Sequence, residues 1–160
     1  MAIRVGEKIP AMKLKAARGG GIEDVSTGEL FAGKKAVLFA VPGAFTPTCS
    51  ARHLPGFIDK AGELRAKGVE AVVCVSVNDA FVMEAWGRDR GAGDEVVLLA
   101  DGNGAFTEAM GLTMDASAHG MGRRSQRYAA IIEDGVVKAL FVEAPGKFEV
   151  SSAEALLGRL

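Results

Sequence analysis

Cysteine is scarce in this chain. Two thiols in 160 residues, Cys49 and Cys74, exclude a disulfide framework and suit a reducing compartment, so the cytoplasm is the expected location. Histidine is equally rare. Cys49, His53, Cys74 and His119 follow no zinc spacing, so no metal is expected. "DGNGAF" (101–106) offers G-x-G without the full dinucleotide fingerprint or a P-loop lysine, and no organic cofactor is expected either. No apolar run approaches the roughly 20 residues of a membrane span. A net charge of -1 gives no electrostatic reason for a nucleic-acid or membrane partner. The opening "MAIRVGEKIP" has no apolar stretch of the kind that makes a secretory signal. Repeats, linkers and low-complexity tracts are missing too, so residues 1–160 read as one domain.

What the chain does have is a series of short apolar runs. "KKAVLFAV" (34–41), "VEAVVCVSV" (69–77) and "EVVLLA" (95–100) have the character of strands covered on both faces, as in parallel sheets. Between them, Leu54, Phe57, Ile58, Ala61 and Leu64 recur at helical spacing within 46–67. Asn78 is placed to cap a second helix, "DAFVMEAWGRDR". In "RYAAIIEDGVVKALFVE" two β-rich runs meet at Asp134-Gly135, a strong hairpin signal. "SSAEALLGRL" opens with Ser151 and Glu154 as the capping box of a short terminal helix. "RGGG" (18–21) reads as a loop. This order predicts an α/β fold: a central mixed β-sheet with helices on both faces, in the thioredoxin-like arrangement.

The most informative stretch is "VPGAFTPTCS" (41–50). Thr46 suits the N-cap and Pro47 the first helical position, where its missing N–H costs nothing. Counting on puts Cys49 in the first turn, where unbonded amides and the positive end of the helix dipole converge. Thiolates are stabilised at such positions. The polar "SARH" that follows suggests a neighbourhood open to solvent. Cys74, in the middle of "VVCVSV", reads instead as a packed and inert strand residue. Cys49 therefore has no expected partner within the chain.

Three further features bear on this stretch. His53 lies four residues after Cys49, but a helix-surface or packing role is expected over a Cys–His nucleophile pair. Pro55 breaks one backbone bond of the predicted helix and should bend it. Arg127, last of three arginines in "GMGRRSQRY", directly precedes the first hairpin strand. Fixed near a thiolate, an arginine would stabilise it and hold an oxygen-rich substrate.

"PGAFTPTCS" resembles the active-site segment of peroxiredoxins, whose core is P-x-x-x-T-x-x-C: here Pro42, Thr46 and Cys49. "ARHLPGF", "VVCVSVNDAFVMEAWG", "LADGNGAFTEAMGL" and "GRRSQRYAAIIEDGVVKAL" extend the likeness to the type II, atypical subfamily over nearly the whole chain. The resemblance implies a thiol peroxidase reducing hydrogen peroxide and alkyl hydroperoxides, active in antioxidant defence. Cys49 would be the peroxidatic cysteine, Thr46 its hydroxyl partner, Pro42 a shield of the pocket and Arg127 the active-site arginine. Many members carry a resolving cysteine toward the C-terminus; here that region holds Ser151 and Ser152. A one-cysteine cycle follows, with glutathione and glutaredoxin, or thioredoxin, as reductant, and a homodimer as the expected assembly. Two other readings are a disulfide oxidoreductase, which lacks its C-x-x-C because Arg52 stands at the second position, and a redox sensor or chaperone-like protein switched by Cys49 oxidation.

Overall fold

Apolar runs that need cover on both sides form the centre of a seven-stranded sheet. In the computed structural model, which describes residues 1–160, the chain runs β1 (Lys13–Arg18), β2 (Gly21–Ser26), α1 (Thr27–Phe31), β3 (Lys35–Ala40), α2 (Leu54–Ala66), β4 (Ala71–Ser76), α3 (Ala80–Arg90), β5 (Val97–Ala100) and α4 (Ala105–Met110). It continues through β6 (Thr113–Asp115), β7 (Arg123–Ser125), β8 (Tyr128–Glu133), β9 (Val136–Val142) and α5 (Ala153–Leu157). The sheet order is β2-β1-β5-β4-β3-β8-β9, with β6 and β7 forming a separate ribbon. The runs expected to be parallel become β3, β4 and β5, and they are parallel.

Successive strand residues face opposite sides, which gives two cores. On one side Val37, Phe39, Cys74, Leu98, Ala129 and Ile131 pack with α2, α3 and α5. On the other, Leu38, Val73, Val75, Leu99, Tyr128 and Ala130 pack with α1 and α4. Helices cover both faces, as the sequence implied, and this is the mixed thioredoxin-like α/β sandwich.

The Asp134-Gly135 turn joins β8 to β9, both residues at positive φ (50° and 75°), as a type I′ hairpin requires. Elsewhere the chain departs from expectation. Asn78 does not cap α3; Asp79 does, accepting from Val82 N–H at 2.9 Å, while Asn78 accepts from Ala44 N–H. The terminal helix starts one residue later than read. Ser152 is its cap, accepting from Ala155 N–H at 3.1 Å, and Ser151 turns inward. The loop expected at 18–21 is the tight Gly19-Gly20 turn, and the strands on either side of it, β1 and β2, are the unexpected part.

Candidate active site

At the C-terminal edge of β3 the chain leaves the sheet through Pro42-Gly43. Gly43 sits in close packing: a Cβ there would stand 3.0 Å from Met121 Cε and 3.1 Å from Thr46 Cγ2, so those side chains would have to shift. Phe45, at φ 63°, carries the turn in a left-handed conformation that non-glycine residues rarely adopt. Thr46 then starts the helix with its carbonyl, which accepts from Ser50 N–H at 2.9 Å. Its side chain does not cap that helix. The hydroxyl donates back to the Gly43 carbonyl at 2.6 Å.

After the one α-type bond from Ser50 to Thr46 the helix widens. Cys49–His53 form a π-helical turn, closed by Leu54 N–H on the Cys49 carbonyl. The cause is Pro55, which has no N–H to donate and whose ring crowds the carbonyl four residues back, that of Ala51. The bend expected at Pro55 thus takes the form of a widened turn that moves His53 inward. Cys49 and His53 are both fully buried. This corrects one expectation: the Cys49 sulfur is not open to solvent but lies beneath the surface, next to the Arg127 guanidinium. Of the two roles expected for His53, surface or packing, the structure shows packing, against Phe39, Phe57 and Phe148.

Arg127, at the foot of β8, connects the two. Its Nη2 donates to Cys49 Sγ at 3.1 Å and its Nη1 donates to His53 Nδ1 at 2.8 Å. The other ring nitrogen, His53 Nε2, donates to the Ser151 carbonyl at 2.9 Å. A carbonyl can only accept, so the proton sits on Nε2 and Nδ1 presents a lone pair to the guanidinium. Burial, with the adjacent Arg127 charge second, lowers the His53 pKa to about 3. The ring is neutral throughout the ordinary pH range. It bonds to Arg127 and Ser151 rather than to the sulfur, so no Cys–His nucleophile pair forms.

Phe148 packs over this cluster. Its ring meets His53 edge-on at 4.9 Å and lies under Arg52 Cζ at 4.7 Å. Outside, a cleft of about 760 Å³ is lined by Pro42, Thr48, Arg52, Arg127, Glu143 and Phe148, among others. Pro42 is half-buried at its wall. His119, in a short exposed turn, is among the residues lining that cleft. Cys74 stands in mid-strand on the same core face as Cys49, and burial pushes its thiol well up. No group of three or more His, Cys, Asp or Glu side chains is gathered to hold a metal ion.

The redoxin family model matches residues 4–157. Peroxiredoxin-2E, chloroplastic, of Arabidopsis thaliana is 53% identical, over 99% of this chain and 70% of its own length. Peroxiredoxin sll1621 of Synechocystis is 47% identical, over 86% of this chain and 76% of its own. Among solved structures, reduced Prx3 of Vibrio vulnificus in complex with hydrogen peroxide superposes with a TM-score of 0.92 at 55% identity, covering 98% of this chain and 95% of that one. The chain is a type II peroxiredoxin. Peroxiredoxins are thiol peroxidases, oxidoreductases that act on peroxide and use a thiol reductant.

Of the four residues the sequence singled out in this peroxiredoxin, the structure joins Cys49 and Arg127 directly. Thr46 and Pro42 flank them in the preceding loop. What sequence reading missed is the layer behind: His53 as the acceptor for Arg127, Ser151 as the acceptor for His53, and Glu143 behind Ser151. "FVEAPG" and "EVSS" carry no signal of this role, and only the fold brings them together.

Proposed function

We propose that Cys49 is the peroxidatic nucleophile of this thiol peroxidase and that an outside thiol restores it. The observation that carries the reading is the Arg127 Nη2 to Cys49 Sγ contact of 3.1 Å. A guanidinium donating to sulfur favours the thiolate and is placed to meet charge developing on the peroxide. Thr46 supports the same reaction in a different role from the expected one. Its single O–H is committed to Gly43, so toward a peroxide it offers lone pairs and orients the substrate by accepting a hydrogen bond from the peroxide O–H. The first-turn amide of Cys49, which a helix start leaves without an intrahelical acceptor, supplies a further donor. The thiolate attacks one peroxide oxygen, an S–O bond forms as O–O breaks, and the leaving oxygen takes up a proton to depart as water or alcohol. Cys49 becomes a sulfenic acid.

The cleft beside Pro42 and Arg127 has room for more than hydrogen peroxide, which supports alkyl hydroperoxides as further substrates. With Cys74 packed inside β4 and serines at 151 and 152, the second thiol comes from another molecule, glutathione with glutaredoxin or thioredoxin. It attacks the sulfenic sulfur and expels water; a second thiol then releases Cys49 and leaves a disulfide. A reducing compartment such as the cytoplasm suits that cycle. Phe45, in the loop before Cys49, and Phe81, in the first turn of α3, remain half or more exposed on segments that the Ala44–Asn78 hydrogen bond joins, which supports a homodimer through this edge. The test offers glutathione–glutaredoxin and thioredoxin systems side by side with hydrogen peroxide and an alkyl hydroperoxide. At least one donor is expected to sustain turnover, and Cys49→Ser to abolish it. No turnover with any donor would overturn the one-cysteine cycle.

A further inference from the structure

Glu143 lies just beyond β9, is nearly fully buried and faces no cation within salt-bridge distance. A buried carboxylate without a counter-ion is costly unless its lone pairs are satisfied. Here one oxygen, Oε2, accepts four bonds: from Glu149 N–H at 2.8 Å, Val150 N–H at 2.9 Å, Ser151 N–H at 2.9 Å and the Ser151 hydroxyl at 2.7 Å. The carboxylate thus folds residues 149–151 around itself. The segment it gathers is the one whose carbonyl, on Ser151, holds His53. Phe148, one residue before it, packs against the same ring.

We propose that Glu143 is a positioning residue of the peroxidatic site, fixing the Ser151 carbonyl, through it the His53 ring, and through that the guanidinium of Arg127 on the Cys49 sulfur. The proposal rests on the reading of Cys49 as nucleophile and Arg127 as its activator. Each link is directional. Without Ser151 O as acceptor, His53 can place its proton on Nδ1. An N–H there would oppose the Arg127 donor instead of receiving it. Arg127 has no carboxylate partner; besides the sulfur itself, the His53 lone pair and the Phe148 ring, 5.7 Å from Cζ, hold its guanidinium. The segment that would present a resolving thiol in other members is, in this chain, built into the wall of the site.

The charge of Glu143 and its positioning role predict opposite signs, which makes the idea testable. Removing a nearby negative charge alone would stabilise the Cys49 thiolate. Loosening Arg127 would destabilise it. The experiment therefore measures, in full-length Glu143→Gln, the pH dependence of thiolate ultraviolet absorbance in a Cys74→Ser background and the second-order rate with hydrogen peroxide. Glu149→Gln, an exposed neighbour, is the control. Positioning predicts a midpoint moved to higher pH and a rate lowered about tenfold, with circular dichroism unchanged and the control unaffected. Ser151→Ala, which removes one of the four bonds, should move both readouts in the same direction by less. A midpoint that falls or stays, with the rate preserved in Glu143→Gln, overturns the proposal. Should Glu143→Gln fail to fold, Ser151→Ala decides by the same two readouts. Activity persisting in Cys49→Ser would refute the underlying reading instead, whatever Glu143 does.

Discussion

Cys49 and Cys74 sit in the same apolar core, each with no exposed surface, yet their surroundings assign them opposite chemistry. Cys74 lies between Phe39 on β3 and Leu98 on β5 in the sheet register, among side chains that offer no hydrogen-bond donor. Desolvation is the dominant influence on it, and its thiol is held protonated. Cys49 receives a guanidinium N–H and sits in the first turn of a helix. Burial is shared, so burial does not explain reactivity. The donors do, and they are present at Cys49 because a loop, a proline-widened turn and a strand end converge there.

The largest effect that tests this contrast comes from exchanging each sulfur for oxygen. Cys49→Ser should lose thiol-dependent peroxide consumption completely. Cys74→Ser should retain it to within about twofold while losing about 1–3 kcal/mol of stability, since its hydroxyl would be buried without a partner. A coupled peroxidase assay and urea unfolding read the two quantities. Activity lost equally in both folded variants would break the comparison.

A smaller effect isolates the donor. Arg127→Gln leaves Cys49 as buried as before but takes away the charge and the two-pronged reach to sulfur and His53. The rate with hydrogen peroxide should fall about 100-fold or more, the scale of losing one preorganised donor. Arg127→Lys should recover only part of it, because an ammonium lacks the planar fork that spans both partners. Trp86 provides the optical readout: its indole N–H donates to Ser50 Oγ at 2.9 Å, next to Cys49. If Arg127→Gln reacts at the wild-type rate, the guanidinium is not what separates the two cysteines.

The same contrast shows what a sequence discloses. The parallel strands, the Asp134-Gly135 hairpin and the placement of Cys74 were readable because each rests on a local pattern of apolar residues or turn chemistry. Cys49 was readable as a helix-mouth thiol for the same reason. The β1–β2 hairpin was missed because "KLKAAR" and "GIEDVS" are largely exposed and carry no apolar run. The packing role of His53 is legible from its spacing, but its bond to Arg127 is not, because local spacing gives no sign of the wider turn at Cys49–His53 or of the strand end that meets it. The Ser151–His53 bond spans 98 positions. No local rule reaches that far, and the helix cap signal at Ser151 pointed elsewhere because Ser152 takes that role.

The smallest effect concerns what keeps His53 able to receive Arg127. Its folded-state pKa of about 3 lies below the ordinary value of 6.5. Between those values the unfolded chain binds a proton that the folded chain refuses, so acid favours unfolding. The stability contributed by neutral His53 is complete above pH 6.5 and declines below it, by at most about 1.4 kcal/mol per pH unit. Other groups do not obscure this window. Glu143, where burial acts to raise the pKa but the Ser151 hydroxyl and the backbone amides of 149–151 outweigh it, is held below 4.5, and Asp24 and Asp115 below 3.8. Their losses begin only in stronger acid. Urea unfolding at pH 7, 6 and 5 should therefore show a falling midpoint, while His53→Gln, which keeps a donor for Ser151 and an acceptor for Arg127 but does not titrate, should be flat over that range. Equal wild-type stability at pH 7 and pH 5 would mean that the ring accepts a proton in place. The Arg127 fork would then owe its position to something other than a neutral imidazole.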